Sequence, residues 1–140
     1  IMGIMIYTGL GELLAHKMAS VGNMSTYPIF AFISGGVVNF AVPSAGGEFA
    51  VIGPTIIKAV QDIGAGLPKA ELVEMISRAS LSIAYGETLT NMLQPFYLLI
   101  ILPVMGIGIK VQARDVMGYL VMPFIVFFVA WGLLVTFVPL

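Results

Sequence analysis

The sequence predicts an all-α integral membrane protein, and three observations carry that prediction: the composition, the spacing of the charges, and the placement of the helix breakers. Of 140 residues, 59% are hydrophobic and 9% charged, against about 45–50% apolar and about 25% charged in a soluble domain. So few charges cannot cover a water-facing surface. A disordered chain needs low hydrophobicity and high net charge, whereas here the net charge is −1. No basic patch marks a nucleic-acid partner. Cysteine is absent and histidine occurs once, which removes thiol chemistry and a Ser/His/Asp set. No metal-ligand spacing or phosphate loop is present either, so neither an enzyme nor a cofactor beyond a coupling ion is expected. The chain starts at Ile1 without a charged leader, and reads as a piece of a longer protein.

A charge at the bilayer centre is expensive, so the gaps between charges mark what can sit in hydrocarbon. Residues 1–19 form the end of a transmembrane helix, with Gly3, Gly9 and Gly11 suited to close packing and His16 and Lys17 as interfacial anchors. Residues 26–60 read as a re-entrant hairpin whose arms, 26–40 and 49–60, flank a tip at 43–47. Arms of 12 to 15 residues span roughly 20 Å, enough to reach mid-membrane and return. The stretch 61–76 holds Asp62, Lys69, Glu71 and Glu74 and is the water-compatible part, and Pro68 opens a short amphipathic helix at the interface. Residues 77–105 read as a broken transmembrane helix, interrupted at Gly86 and near Pro95. A turn carrying Lys110 and Arg114 leads to the last span, 115–138, whose Tyr119 and Trp131 are typical interfacial aromatics. With a re-entrant hairpin, Lys17, Lys58, Lys69 and Arg78 fall on one side of the membrane and Lys110 and Arg114 on the other.

The polar residues cluster at two of these breaks. Irregular backbone at membrane depth survives only when it is buried in protein or lines a wet cavity, and secondary carriers use such breaks to hold ions and substrates. The first cluster is Asn39, Ser44, Gly46, Gly47 and Glu48. Its glycines admit close backbone approach, and the amides that open the second arm suit an anion. The competing reading is a plain corner, with Ser44 as helix cap and the glycines for packing. The second cluster is Gly86, Glu87, Thr88, Thr90, Asn91 and Gln94. Glu87, Thr90, Asn91 and Gln94 share one helix face, which marks a protein interior or a pathway, or else interhelical glue.

Three blocks resemble the short-chain fatty acid transporter family: VVNFAVPSAGGEFAVIGP at Val37–Pro54, AYGETLTNMLQPFY at Ala84–Tyr97 and ARDVMGY at Ala113–Tyr119. They stand in the family's order and spacing. The resemblance covers the C-terminal part of a longer carrier and implies one inverted repeat of an ion-coupled secondary transporter of the bacterial inner membrane, multi-pass, completed by a missing N-terminal half and open to homo-oligomerisation. It implies a short-chain carboxylate as substrate, held by Asn39, Ser44, Gly46, Gly47, Glu48, Thr90 and Asn91, with the tail against Phe40, Val42 or Phe49. Gly86, Glu87, Thr88 and Gln94 would serve the coupling ion, H⁺ or Na⁺. A carrier of dicarboxylates or other organic anions, and a non-transporting helical interaction protein, stand as alternatives.

Overall fold

A computed structural model describes residues Tyr7, Thr8, Lys17, 20–108 and 110–138, and all regular structure among them is helical. The expected helix end at 1–19, with Gly3, Gly9, Gly11 and His16, lies outside the described residues apart from Tyr7, Thr8 and Lys17.

Helix α1 (Tyr27–Asn39) starts from a turn that Asn23 and Thr26 tie reciprocally. The Asn23 side chain accepts from the Ser25 and Thr26 amides at 2.9 and 3.0 Å, and Thr26 Oγ1 accepts from the Asn23 amide. Pro28 falls in the first turn, where its missing N–H leaves no bond unmade. Thirteen residues give about 20 Å of helix.

Helix α2 (Ala45–Ile63) begins four residues before the expected second arm. Ser44 is extended, with φ −160° and ψ 114°, and its hydroxyl accepts from the Gly47 amide. That cap starts the helix at once, so Gly46 and Gly47 are helical rather than part of a loose tip. The connection between the arms shrinks to 40–44.

Helix α3 (Lys69–Thr90) corrects two sequence expectations. The amphipathic segment does start after Pro68, but it continues through residue 76 as one helix of 22 residues. The helix also runs through Gly86 without interruption. A glycine costs a helix about 1 kcal/mol relative to Ala, and here packing outweighs that. The interruption comes at Asn91–Leu93, a single 3₁₀ turn. Its cause is Pro95, which disfavours the helical region for the preceding residue, and Gln94 accordingly sits at φ −82°, ψ 120°. Pro95 then opens helix α4 (Pro95–Met105). Helix α5 (Ala113–Phe137) is opened by a capping box, in which Asp115 accepts from the Gln112 amide at 3.0 Å.

Helix α1 is the hub, packed most extensively on α3 and also against α2 and α5. Small residues make this possible. A Cβ at Gly86 would fall on the Phe32 carbonyl oxygen, one at Gly35 on the Ile83 carbonyl, and one at Gly36 would lie 3.0 Å from the Thr90 methyl. Backbones this close are the usual basis of helix association in lipid. One core cluster joins α1, α2 and α3 through Ala31, Ile52, Ile56, Val60, Ala79 and Ile83. A second joins α1, α3 and α5 around Phe32, Leu89 and Val135.

Arg78 fixes the far end of α5. Its guanidinium donates to the Val135 carbonyl at 3.2 and 2.8 Å and to the Thr136 carbonyl at 2.9 Å, filling orphan acceptors of the last turn. Helix α5 has 25 residues, about 37 Å, so Arg78 stands at the opposite end of it from Arg114. Among the described residues, α5 is the one helix long and apolar enough to cross a membrane. It is also almost entirely uncovered, with Met122 74% and Val126 60% exposed.

Candidate functional site at the helix junction

Among the described residues, the buried polar side chains Asn39, Glu48, Glu87, Thr90 and Gln94 belong to the end of α1, the start of α2 and the end of α3 with the turn after it, whereas buried Ser82 lies within α3 and bonds the Arg78 carbonyl. Asn39, the last residue of α1, is fully buried. Its amide nitrogen donates to the Glu87 carbonyl at 3.1 Å, to Thr90 Oγ1 at 2.9 Å and to Asn91 Oδ1 at 2.7 Å. Gln94, at the break, returns a hydrogen bond from Nε2 to the Asn39 carbonyl. Two elements are thereby clamped at their ends, the C-terminus of α1 and the frayed end of α3. The cause is local: both segments stop making intrahelical bonds here, so side-chain amides supply what the backbone cannot.

Of the face expected of Glu87, Thr90, Asn91 and Gln94, only Glu87 and Thr90 belong to α3; Asn91 opens the 3₁₀ turn and Gln94 is extended beyond it. Glu87, Thr90 and Gln94 are buried and Asn91 is partly so. Thr90 Oγ1 also bonds back to the Gly86 and Glu87 carbonyls at 3.1 Å, so the Gly86 carbonyl belongs to an intact helix. Unwound carbonyls are thus supplied by the 91–94 turn and not by Gly86, which serves as a packing residue. Thr88 is exposed and its hydroxyl bonds the Ala84 carbonyl rather than the junction network.

The hairpin side is divided. Asn39 and Glu48 are both fully buried, whereas Ser44 and Gly46 are exposed and Gly47 is half-buried. A Cβ at Gly46 would meet no atom within 4 Å. The Ser44–Gly46 corner is therefore left largely uncovered within the described chain. Glu48 lies in the first turn of α2, where the helix dipole favours a carboxylate, and the Glu87 carboxyl lies within its electrostatic reach.

Four buried oxygens at this junction have no hydrogen-bond partner within the described chain: Asn39 Oδ1, both Glu48 carboxylate oxygens and Gln94 Oε1. Two cavities flank the network. One of about 370 Å³ has Thr88, Asn91, Gln94 and Tyr97 beside apolar Leu98 and Ile101. The other, about 200 Å³, is apolar, bounded by Phe32, Gly36, Phe40, Thr90 and Phe128.

Sequence reasoning missed the roles of Arg78 and of the Gly35–Gly86 approach. A usable signal for Arg78 is that no other basic residue occurs between Lys69 and Lys110. The glycines carried no comparable signal, because a packing glycine and a helix-breaking one read alike.

An all-helical assembly whose one helix long and apolar enough to span a bilayer is left uncovered, among the described residues, is consistent with a membrane protein. The description "Short chain fatty acid transporter" matches residues 1–138, and the chain belongs to that family, which is one of transporters and not of enzymes. It is 40% identical over 116 residues to a protein of Escherichia coli (strain K12) named "Putative short-chain fatty acid transporter", and 39% identical over 116 residues to a protein of the same name from Haemophilus influenzae (strain ATCC 51907 / DSM 11121 / KW20 / Rd). Each alignment covers 83% of this chain and 23% of the relative, so the chain spans about a quarter of the length of the curated relatives it matches. No solved structure matches it.

Proposed function

We propose that this chain forms part of a secondary carrier that moves short-chain monocarboxylates such as butyrate or acetoacetate across the bacterial inner membrane, driven by H⁺ or Na⁺. The observation that carries this reading is the Asn39–Gln94 junction. Uncharged amides and hydroxyls in an apolar helical assembly are concentrated at one helix break, where they tie α1 to the end of α3, and cavities adjoin them. Membership of the transporter family points the same way.

A small carboxylate needs donors for its head and an apolar wall for its tail. The amides that open α2, with the Ser44 hydroxyl and the Asn91 side chain, are the donors within this chain. The cavity edged by Phe40 and Thr90 suits the tail. The corner at Ser44–Gly46 is exposed, so the remaining part of the carrier would close over it. In this reading 26–63 is a re-entrant hairpin, the chain is most of one inverted repeat, and the bare faces of α4 and α5 meet lipid or the other repeat.

The test is uptake of labelled butyrate by cells expressing the full protein. Asn91→Ala and Ser44→Ala should each lower uptake about fivefold, the value of one hydrogen bond of about 1 kcal/mol, with membrane expression unchanged. Unchanged uptake in both variants would overturn this placement of the substrate.

A further inference from the structure

The apolar cavity beside the junction carries a further conclusion, which rests on the carrier reading. Its floor is made by Phe32 and Leu89, each 1% exposed, and its rim by Phe40 and Phe128, which stand open. Thr90 belongs to two surroundings at once. Its hydroxyl bonds the Gly86 and Glu87 carbonyls and accepts from Asn39 Nδ2, while its methyl lies over Gly36, 3.0 Å from where a Cβ there would stand. The polar network and the cavity therefore meet across one side chain. Every other side chain lining the cavity is apolar.

Size narrows what can fill it. An apolar cavity left empty costs stability in proportion to its volume, and one of about 150 Å³ takes up benzene. This one is about 200 Å³, which by the same measure has room for a tail of about five to seven carbons. The three-carbon tail of butyrate fills about half of it. A bilayer lipid entering over the rim leads with its methyl end and brings nothing polar to the network beyond Thr90. An acid lying the other way brings its head. Phe32 is fixed in the core, so the adjustable wall is Phe128, whose ring lies 5.4 Å from that of Phe32 and 5.9 Å from that of Phe124. It closes the cavity between α1 and α5.

We propose that this cavity holds the substrate tail, that it extends the range of the carrier to saturated acids of about six to eight carbons, and that Phe128 sets the longest tail admitted. Helix α5 then does more than span the membrane: its aromatic face measures the substrate.

The experiment reconstitutes the full-length protein in proteoliposomes and measures how unlabelled straight-chain acids, from acetate to dodecanoate, inhibit uptake of labelled butyrate. Thermal unfolding of the same protein in detergent is followed with the same acids. In the wild type each added carbon should tighten inhibition about fourfold as far as hexanoate or octanoate, and decanoate should be weaker than octanoate. Phe128→Ala should reverse that order, making decanoate about tenfold tighter than octanoate, and Phe128→Trp should make hexanoate tighter than octanoate. A merely structural role for Phe128 would lower uptake of all acids alike and leave the turning point where it was. Phe128→Trp decides the matter alone if Phe128→Ala does not fold. An unbroken rise through dodecanoate, as chains partitioning onto an open lipid-facing surface give, or one turning point shared by the wild type and both variants, would overturn the proposal and, with saturable butyrate uptake, leave the carrier standing. Absence of butyrate uptake at any pH or with any cation, together with thermal stabilisation whose turning point still moves with Phe128, would sink the carrier reading and leave the tail cavity.

Discussion

Helices α3 and α5 divide the chemistry of the molecule between them in the reverse of a soluble protein. Helix α3 carries Lys69, Glu71, Glu74, Arg78 and Glu87, yet it supplies Ala79, Ser82, Ile83, Glu87 and Thr90 to the interior. Helix α5 is apolar almost throughout and is left bare, with Met122, Ile125, Val126 and Phe137 exposed. In water this arrangement would be unstable, because exposed apolar area is costly at about 25 cal/mol per Å². In lipid that area costs nothing, and the polar groups are the ones that need protein partners. The two helices therefore show which solvent the molecule was built for.

The comparison can be broken most severely at Gly86, where α3 touches the hub. Gly86→Leu would drive a side chain into the Phe32 carbonyl, and backbone cannot step aside as a flexible side chain can. The expected loss is at least about 3 kcal/mol, read as disappearance of the monodisperse full-length protein in detergent size-exclusion chromatography. Wild-type yield from this variant would mean that α1 and α3 do not approach as described.

A nearly equal effect is expected on the opposite helix, for a different reason. Ile125 is 55% exposed near the middle of α5. In a soluble protein an arginine there would change stability by no more than about 0.5 kcal/mol, but at a bilayer centre it costs about 2.5–3.5 kcal/mol. Ile125→Arg should therefore reduce membrane integration of α5 in a glycosylation-mapping assay. Full integration would show that α5 is covered by polar protein instead of lipid.

The smallest effect belongs to Gly46, which matches Gly86 in residue type and differs in its surroundings. It stands in the first turn of α2 with open space around it. Gly46→Ala should leave the melting temperature unchanged or raise it by an amount worth no more than about 1 kcal/mol, through the lower chain entropy of alanine. Marked destabilisation would mean that another segment packs on the corner.

Legibility differed along the chain in a way that has a physical cause. Helix α5 was read to within two residues at its start, because a charged turn precedes a long uncharged run. Pro68 marked a helix start and Pro95 the neighbourhood of a break, since a missing N–H and the restraint on the preceding residue act at the backbone and need no partner. Ser44 took the helix-cap role of the plainer reading. Gly86 was misread as a break: in isolation its flexibility weakens a helix, and only contact with Phe32 reveals that its missing side chain is what the site requires. The division of 61–76 from 77–105 failed similarly, because charges at 69–78 suggested an interfacial helix, while the buried stripe that runs past them is fixed by α1 and α2.

By itself the sequence determined the solvent, the helical class and the family, because composition, proline positions and the blocks around Asn39 and Asn91 act locally and survive without a fold. It also brought forward the polar residues of the junction. The tertiary structure decided which of them meet. Asn39 reaches 48 to 52 residues along the chain to Glu87, Thr90 and Asn91, Glu48 comes within the field of Glu87, and Ser44 is left outside. No spacing rule connects residues so far apart. Their meeting depends on how closely α1 and α3 can lie, and that distance is set by three glycines whose role is visible only from the other helix.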